Sequence, residues 1–245
     1  MHSMVRSGAL GAILMGACAP TSARPTQVTV RVLAQDAKFV GDHTGGAFVI
    51  LRDARSGKML ATGKTSGGTG DTDRIMHASG RAPVRHSPDA AAFNAVIDIK
   101  RPTLVSLEVD GPADSPQSAT KVTSMRWLMP GEPLVAGDGW LVELPGLVIT
   151  PTVARTDTGT AVEAKVELMC GCPITPGGTW NASDYRVTAS SWKGDTELGS
   201  VDLSFSASPG IYRGELNGHL PPRARIVIFA RNLKTGNSGL VQVHR

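Results

Sequence analysis

Aromatic residues are scarce in this chain: five Phe, two Tyr and four Trp among 245 residues. Its cores therefore have to be built from Val, Leu, Ile and Ala. Cysteine is nearly absent as well, with three residues in all, which excludes a disulfide-dense scaffold. Strong charge is missing. The formal net charge is +4, with no Lys/Arg stripe interleaved with aromatics, so nothing points to a nucleic-acid partner. No window of about 12 residues carries an apolar stripe of helical period, and the most helix-like stretch is only Asp89 to Asn94. Enzyme signatures are lacking too: there is no Gly-x-Ser-x-Gly, no His-Glu-x-x-His and no phosphate loop ending in Gly-Lys-Ser/Thr. Gly67-Gly68-Thr69-Gly70-Asp71 has neither a lysine nor a following helix, and reads as a plain loop. The expectation is a protein that binds and does not catalyse.

What is present is glycine and proline, 28 and 16 residues, between short runs of period two. Val28, Val30 and Val32 alternate with Thr29 and Arg31. Ala47 to Leu51, Met59 to Ala61, Phe93 to Ile99, Leu104 to Val109, Val122 to Leu128, Trp140 to Leu144 and Leu147 to Thr150 read as further strands. Pro130-Gly131 and Pro145-Gly146 read as turns, and Trp127 and Trp140 beside them as core or interdomain packing residues. Ser66 to Ala92 is polar and Gly-rich, carries His77 and His86, and is long for a loop in a compact domain. It reads as an excursion.

The opening strands, with the Ser56-Gly57 turn between them, resemble the transthyretin-like or carboxypeptidase-regulatory-like β-sandwich over about forty residues. That resemblance implies a fold and no activity. A boundary is expected near Thr150 to Gly159, where Pro151 and Thr156-Asp157-Thr158-Gly159 interrupt two apolar strands. The pattern then restarts with Val162 to Leu168, Tyr185 to Trp192, Leu198 to Phe205, Ile211 to Leu216, Ala224 to Ala230 and Gly239 to His244. The last two are joined by Asn232 to Ser238, whose Gly and Asn residues suit a hairpin. This half resembles an immunoglobulin-like sandwich in architecture, without the Cys…Trp…Cys spacing of antibody domains. Trp180, Tyr185 and Trp192 are expected to pack in its core.

The N-terminus reads as an export signal. His2 to Arg6 is a short, weakly basic opening, Gly8 to Leu14 an apolar run, and Gly16-Ala17 a small pair before Cys18. The run is too short for a hydrocarbon core of about 30 Å, which needs ~20 residues. Leu14-Met15-Gly16-Ala17-Cys18 resembles the lipobox of bacterial lipoproteins, with Met15 where Leu is commonest. The resemblance implies cleavage after Ala17 and acylation of Cys18, palmitate-type chains giving a membrane anchor in the cell envelope. Ala19, standing where Asp would signal inner-membrane retention, implies an outer-membrane destination. The expected organisation is a signal peptide over 1–17, a lipidated tether over 18–26 rich in Pro, Ser and Thr, a β-sandwich over 27–150 and a second over 151–245. The fold class is thus all-β, two sandwiches behind a cleaved leader. The body would then bind an envelope protein or a glycan.

Met169-Cys170-Gly171-Cys172-Pro173 carries the remaining chemistry. In an extended strand the Cα atoms at i and i+2 lie about 6.6 Å apart on one face, at the edge of the disulfide range. A bend at Gly171 brings the thiols closer. Four readings stay open. The pair binds a soft metal, Cu(I) ahead of zinc, with Met169 as a third ligand if the chain bends. It forms a Cys170–Cys172 disulfide that staples a structural or adhesive module. It cycles as an envelope thiol–disulfide oxidoreductase. Or it is two inert thiols. The lipobox resemblance adds that acylated Cys18 leaves only these two cysteines to pair.

Overall fold

Val28, Val30 and Val32 are all buried, and their alternation makes Thr26–Ala34 the first strand, β1. The structure, a computed structural model, describes residues 25–81 and 83–244. The leader, the lipobox and Cys18 lie outside the described residues. Six further strands complete the first half: β2 (Phe48–Asp53), β3 (Met59–Lys64), β4 (Phe93–Ile97), β5 (Thr103–Gly111), β6 (Thr120–Leu128) and β7 (Trp140–Leu144). They form two sheets, in the orders β4-β1-β7 and β3-β2-β5-β6. Val28, Val30 and Val32 share one buried cluster with Val49 and Leu51 of β2 and with Val105, Leu107 and Val109 of β5. Each set lies on one face of its strand, as period two requires.

The second half has β8 (Leu147–Arg155), β9 (Gly159–Leu168), β10 (Tyr185–Lys193), β11 (Thr196–Phe205), β12 (Ile211–Asn217), β13 (Arg225–Asn232) and β14 (Ser238–His244). Hydrogen bonding joins them in the order β14-β13-β10-β11-β12-β9-β8. The link between β11 and β12 is only two residue pairs, Ser204 with Arg213 and Phe205 with Tyr212. The sheet turns a corner there. Its two outer strands come back together: a Cβ added to Gly239 of β14 would stand 3.1 Å from the backbone nitrogen of Leu147 on β8. Tyr185, Val187, Ile226 and Ile228 from one side of the corner are buried in the same cluster as Val162, Val166 and Leu216 from the other.

Among the described residues the fold is therefore nearly all β, with a single short α-helix. No helix among them is long and apolar enough to cross a membrane. Every strand expected from the sequence lies within or overlaps an observed one. Two local expectations are corrected. The helix, α1, is Thr72–Met76 and not Asp89 to Asn94, because the Asp71 carboxylate accepts the Arg74 amide and caps it. The strand beginning at Leu147 does not stop at Thr150 but continues through Pro151 to Arg155. It pairs with β9, so it joins the sheet of the second half and not the strands of the first, with which the sequence grouped it. Pro151 is tolerated because β8 ends the hydrogen-bonding order, where a missing N–H removes no ladder bond.

The excursion from Ser66 to Ala92 is held down. Ser66 bridges Ala92, and Gly68 bridges Ala90. Asp138, far along the chain, accepts the amides of Arg85 and His86 and the His86 Nδ1 at 2.8–3.1 Å. Burial alone would raise the Asp138 pKa, but those amides and the imidazole hold it below the usual carboxylate range.

Candidate functional site

The chain leaves β9 in a tight reversal. The Gly171 amide donates to the Leu168 carbonyl at 2.7 Å, the Leu168 amide donates to the Cys172 carbonyl, and Pro173 returns opposite Glu167. Gly171 has φ of +75°, a conformation that costs a side-chain-bearing residue but not glycine. The reversal draws the Cα atoms of Cys170 and Cys172 to 5.4 Å, closer than an extended strand allows, and the two sulfurs are bonded to each other. Cys170 is fully buried, and Cys172 and Met169 nearly so.

The first half of the chain closes this turn. A 3-10 turn, Asp42–Thr44, sends the Thr44 hydroxyl to the Met169 carbonyl at 3.3 Å. It also lays His43 over Gly171, so that a Cβ added there would stand 2.9 Å from His43 Nε2. Met169 turns its terminal methyl against Gly146, the glycine of the Pro145-Gly146 turn that links the halves. The structure thus brings Cys170 and Cys172 together and packs Met169 as a core side chain. Among the described residues no group of three or more His, Cys, Asp or Glu side chains is gathered to hold a metal ion.

The same seam is bound by side chains from both halves. Asn237, 3% exposed, accepts the Gly146 amide and donates to the carbonyls of Gly146 and Gln35. Trp180 Nε1 donates to the Asp36 carbonyl at 2.8 Å. Tyr185 belongs to the buried core cluster and Trp180 packs, half-buried, against it. Trp192 is half-buried and spends its Nε1 on Ser190. The two loop histidines do not meet a shared ligand. His77 contacts Asp73 and His86 contacts Asp138.

Trp127 departs from expectation. Trp140 is fully buried, but Trp127 is 66% exposed. On β6 the inward register belongs to Leu128, which puts Met125 and Trp127 on the outer face of the sheet. Trp127 lines a cleft of about 310 Å³ with Asp53, Arg55, Arg101, Thr103 and Leu104. The amides of Ser56 and Arg55 hold the Asp53 carboxyl below its ordinary range, so it is turned into its own loop as an anion. Neither arginine takes part in an ion pair among the described residues. No sequence motif marked this cleft, because its residues come from three separate strand ends.

The chain matches no protein-family model and no curated protein sequence. A solved structure, that of a DUF3823 family protein from Bacteroides ovatus, aligns with 90% of this chain and 97% of its own length. The TM-score is 0.30 and the identity 7%, a likeness too slight to carry fold or function across.

Proposed function

We propose that this chain is an exported, lipid-anchored envelope protein that works by binding, with Cys170–Cys172 as a structural disulfide that fixes one turn of the second half at the seam with the first. In this reading the sheets β4-β1-β7 and β3-β2-β5-β6 make one sandwich, and the cornered sheet of the second half makes the other. The sandwiches present a surface to an envelope protein or glycan, and the acyl chains on Cys18 hold them at the membrane, the outer one in a two-membrane cell. The observation that carries the reading is the bonded, buried cysteine pair at the seam. Disulfides persist where export signals lead, in oxidising compartments. Both sulfurs are occupied by each other, which favours the staple over Cu(I) capture, and their burial keeps an attacking thiolate away, which favours it over exchange.

The test expresses the full chain in a bacterium with labelled palmitate and compares it with Cys18→Ala. Label confined to the parent, with intact mass showing cleavage before Cys18, is the expected result. Alkylation of the unreduced denatured protein should then find no free thiol. Free thiols together with Cu(I) uptake that Cys170→Ser abolishes would replace the staple by the copper reading.

A further inference from the structure

The cleft with Trp127 lies at the end of the first half where the chain enters. Thr26 opens β1 opposite Ile97 of β4. Its hydroxyl donates to the Met129 carbonyl at 3.3 Å and accepts the Gly131 amide at 2.9 Å. Two residues before Met129 is Trp127, and just after Ile97 come Lys100 and Arg101. Arg55 and Lys58 sit in the neighbouring β2–β3 turn, where the Ala54 amide binds the Leu104 carbonyl. Strand entry, basic turns and exposed tryptophan therefore share one end of the molecule.

The second half is held at the other end. Its bonds to the first half reach Gln35, Asp36 and Thr44, beyond the far end of β1. Nine residues of strand put about 27 Å between Thr26 and Ala34. Cys18 is separated from Thr26 by residues 19–25, a stretch that reaches at most about 28 Å when fully extended. An acyl chain on Cys18 thus tethers the molecule by its basic end, within about 28 Å of the bilayer.

We propose that this end is a membrane-docking face: Arg52, Arg55, Lys58, Lys100 and Arg101 take anionic lipid headgroups, and Trp127 with Met129 enters the interface between them. Five cations stand there against Asp53, Asp98 and Glu132, and none of the five is in an ion pair among the described residues. Trp127 at 66% and Met129 at 52% exposure are the apolar groups beside them. Tryptophan settles at headgroup depth because its ring is apolar and its Nε1 still needs a polar partner. Basic residues next to an anchor are drawn to an anionic surface within a Debye length. The inference rests on the acylation of Cys18 proposed above. It adds an orientation to it: first half down, Cys170–Cys172 seam and second half projected outward.

The test reconstitutes the full acylated chain on phosphatidylcholine vesicles with and without phosphatidylglycerol, using lipids brominated near the headgroup as quenchers of tryptophan emission. Quenching is expected on the anionic vesicles, reduced by salt. It should fall to the level of Trp127→Phe in the double variant Arg55→Glu/Arg101→Glu, whose exposed sites leave folding intact. Intact mass of the same preparation reports acylation separately. An acylated chain bound to anionic vesicles with Trp127 unquenched would overturn the docking face and leave the anchor standing. An unacylated chain whose Trp127 is still quenched would keep the face and remove the anchor. If Trp127 stays unquenched by lipid but responds to soluble polygalacturonate, the cleft is an acidic-glycan site and the proposal is wrong.

Discussion

His43 lies over Gly171, one residue from each half of the chain, and closes the turn that holds the Cys170–Cys172 pair. A side chain at position 171 would have to displace the His43 ring. Gly171→Ala is expected to destabilise by about 2 kcal/mol or more, combining the left-handed backbone cost with the crowding of His43. Gly177 supplies the control. It has a similar φ of +67° but nothing within 4 Å of an added Cβ, so Gly177→Ala should cost only about 1 kcal/mol. Urea unfolding of both variants measures the difference. Equal losses would mean that His43 makes way freely.

Asn237 ties the linker turn to both halves through three hydrogen bonds in a buried place. Asn237→Ala strands the Gly146 amide without its acceptor and should lower stability by roughly 2–3 kcal/mol. Asn237→Asp keeps that acceptor but sets a buried carboxylate against the Gln35 and Gly146 carbonyls, and should cost at least as much as alanine. Thermal unfolding monitored by circular dichroism ranks the three proteins. A neutral alanine variant would show that water replaces the side chain.

Burial pushes the Tyr185 hydroxyl up from 10.0 to about 12, and raises Tyr212 as well, chiefly by burial. The folded state therefore holds these protons after the unfolded chain has released them. Stability from this source is complete below pH 10 and is lost as pH rises through the interval to about 12. Unfolding midpoints in urea across that interval should fall, and less steeply in Tyr185→Phe. A flat profile would contradict the burial account.

Asp138 gathers the Arg85 and His86 amides and the His86 ring, and its pKa lies below the ordinary carboxylate value. The support it gives to the loop is present above that value and disappears as pH falls through the depressed one. Asp138→Asn should speed hydrogen exchange at the Arg85 and His86 amides at neutral pH, with the strands unaffected. Unchanged exchange would mean that the bridges at Ser66 and Gly68 hold the loop alone.

The strand pattern was readable because one buried face imposes period two on a chain with few aromatics. Val28-Val30-Val32 and the Phe93 to Ile97 run show it directly. Local chemistry that depends on one partner was less readable. The α1 start at Asp71 looked like loop, since five helical residues carry no stripe of helical period. Trp127 looked like core because β6 has mixed character on both faces, Ser124 and Arg126 on one and Met125 and Trp127 on the other. Which face turns inward was set by pairing with β5, from Leu104 opposite Trp127 to Val109 opposite Val122.

By itself, the sequence determined the all-β class, the strand positions and the closeness of Cys170 to Cys172, because neighbours along the chain carry all three. Only the tertiary structure decided the rest. His43 reaches Gly171 across 128 positions of sequence, Asn237 reaches Gly146 across 91, and Arg55, Arg101 and Trp127 converge on one cleft from three strand ends. Such contacts follow from sheet register and from the packing of one half on the other, and no local pattern of residues encodes them.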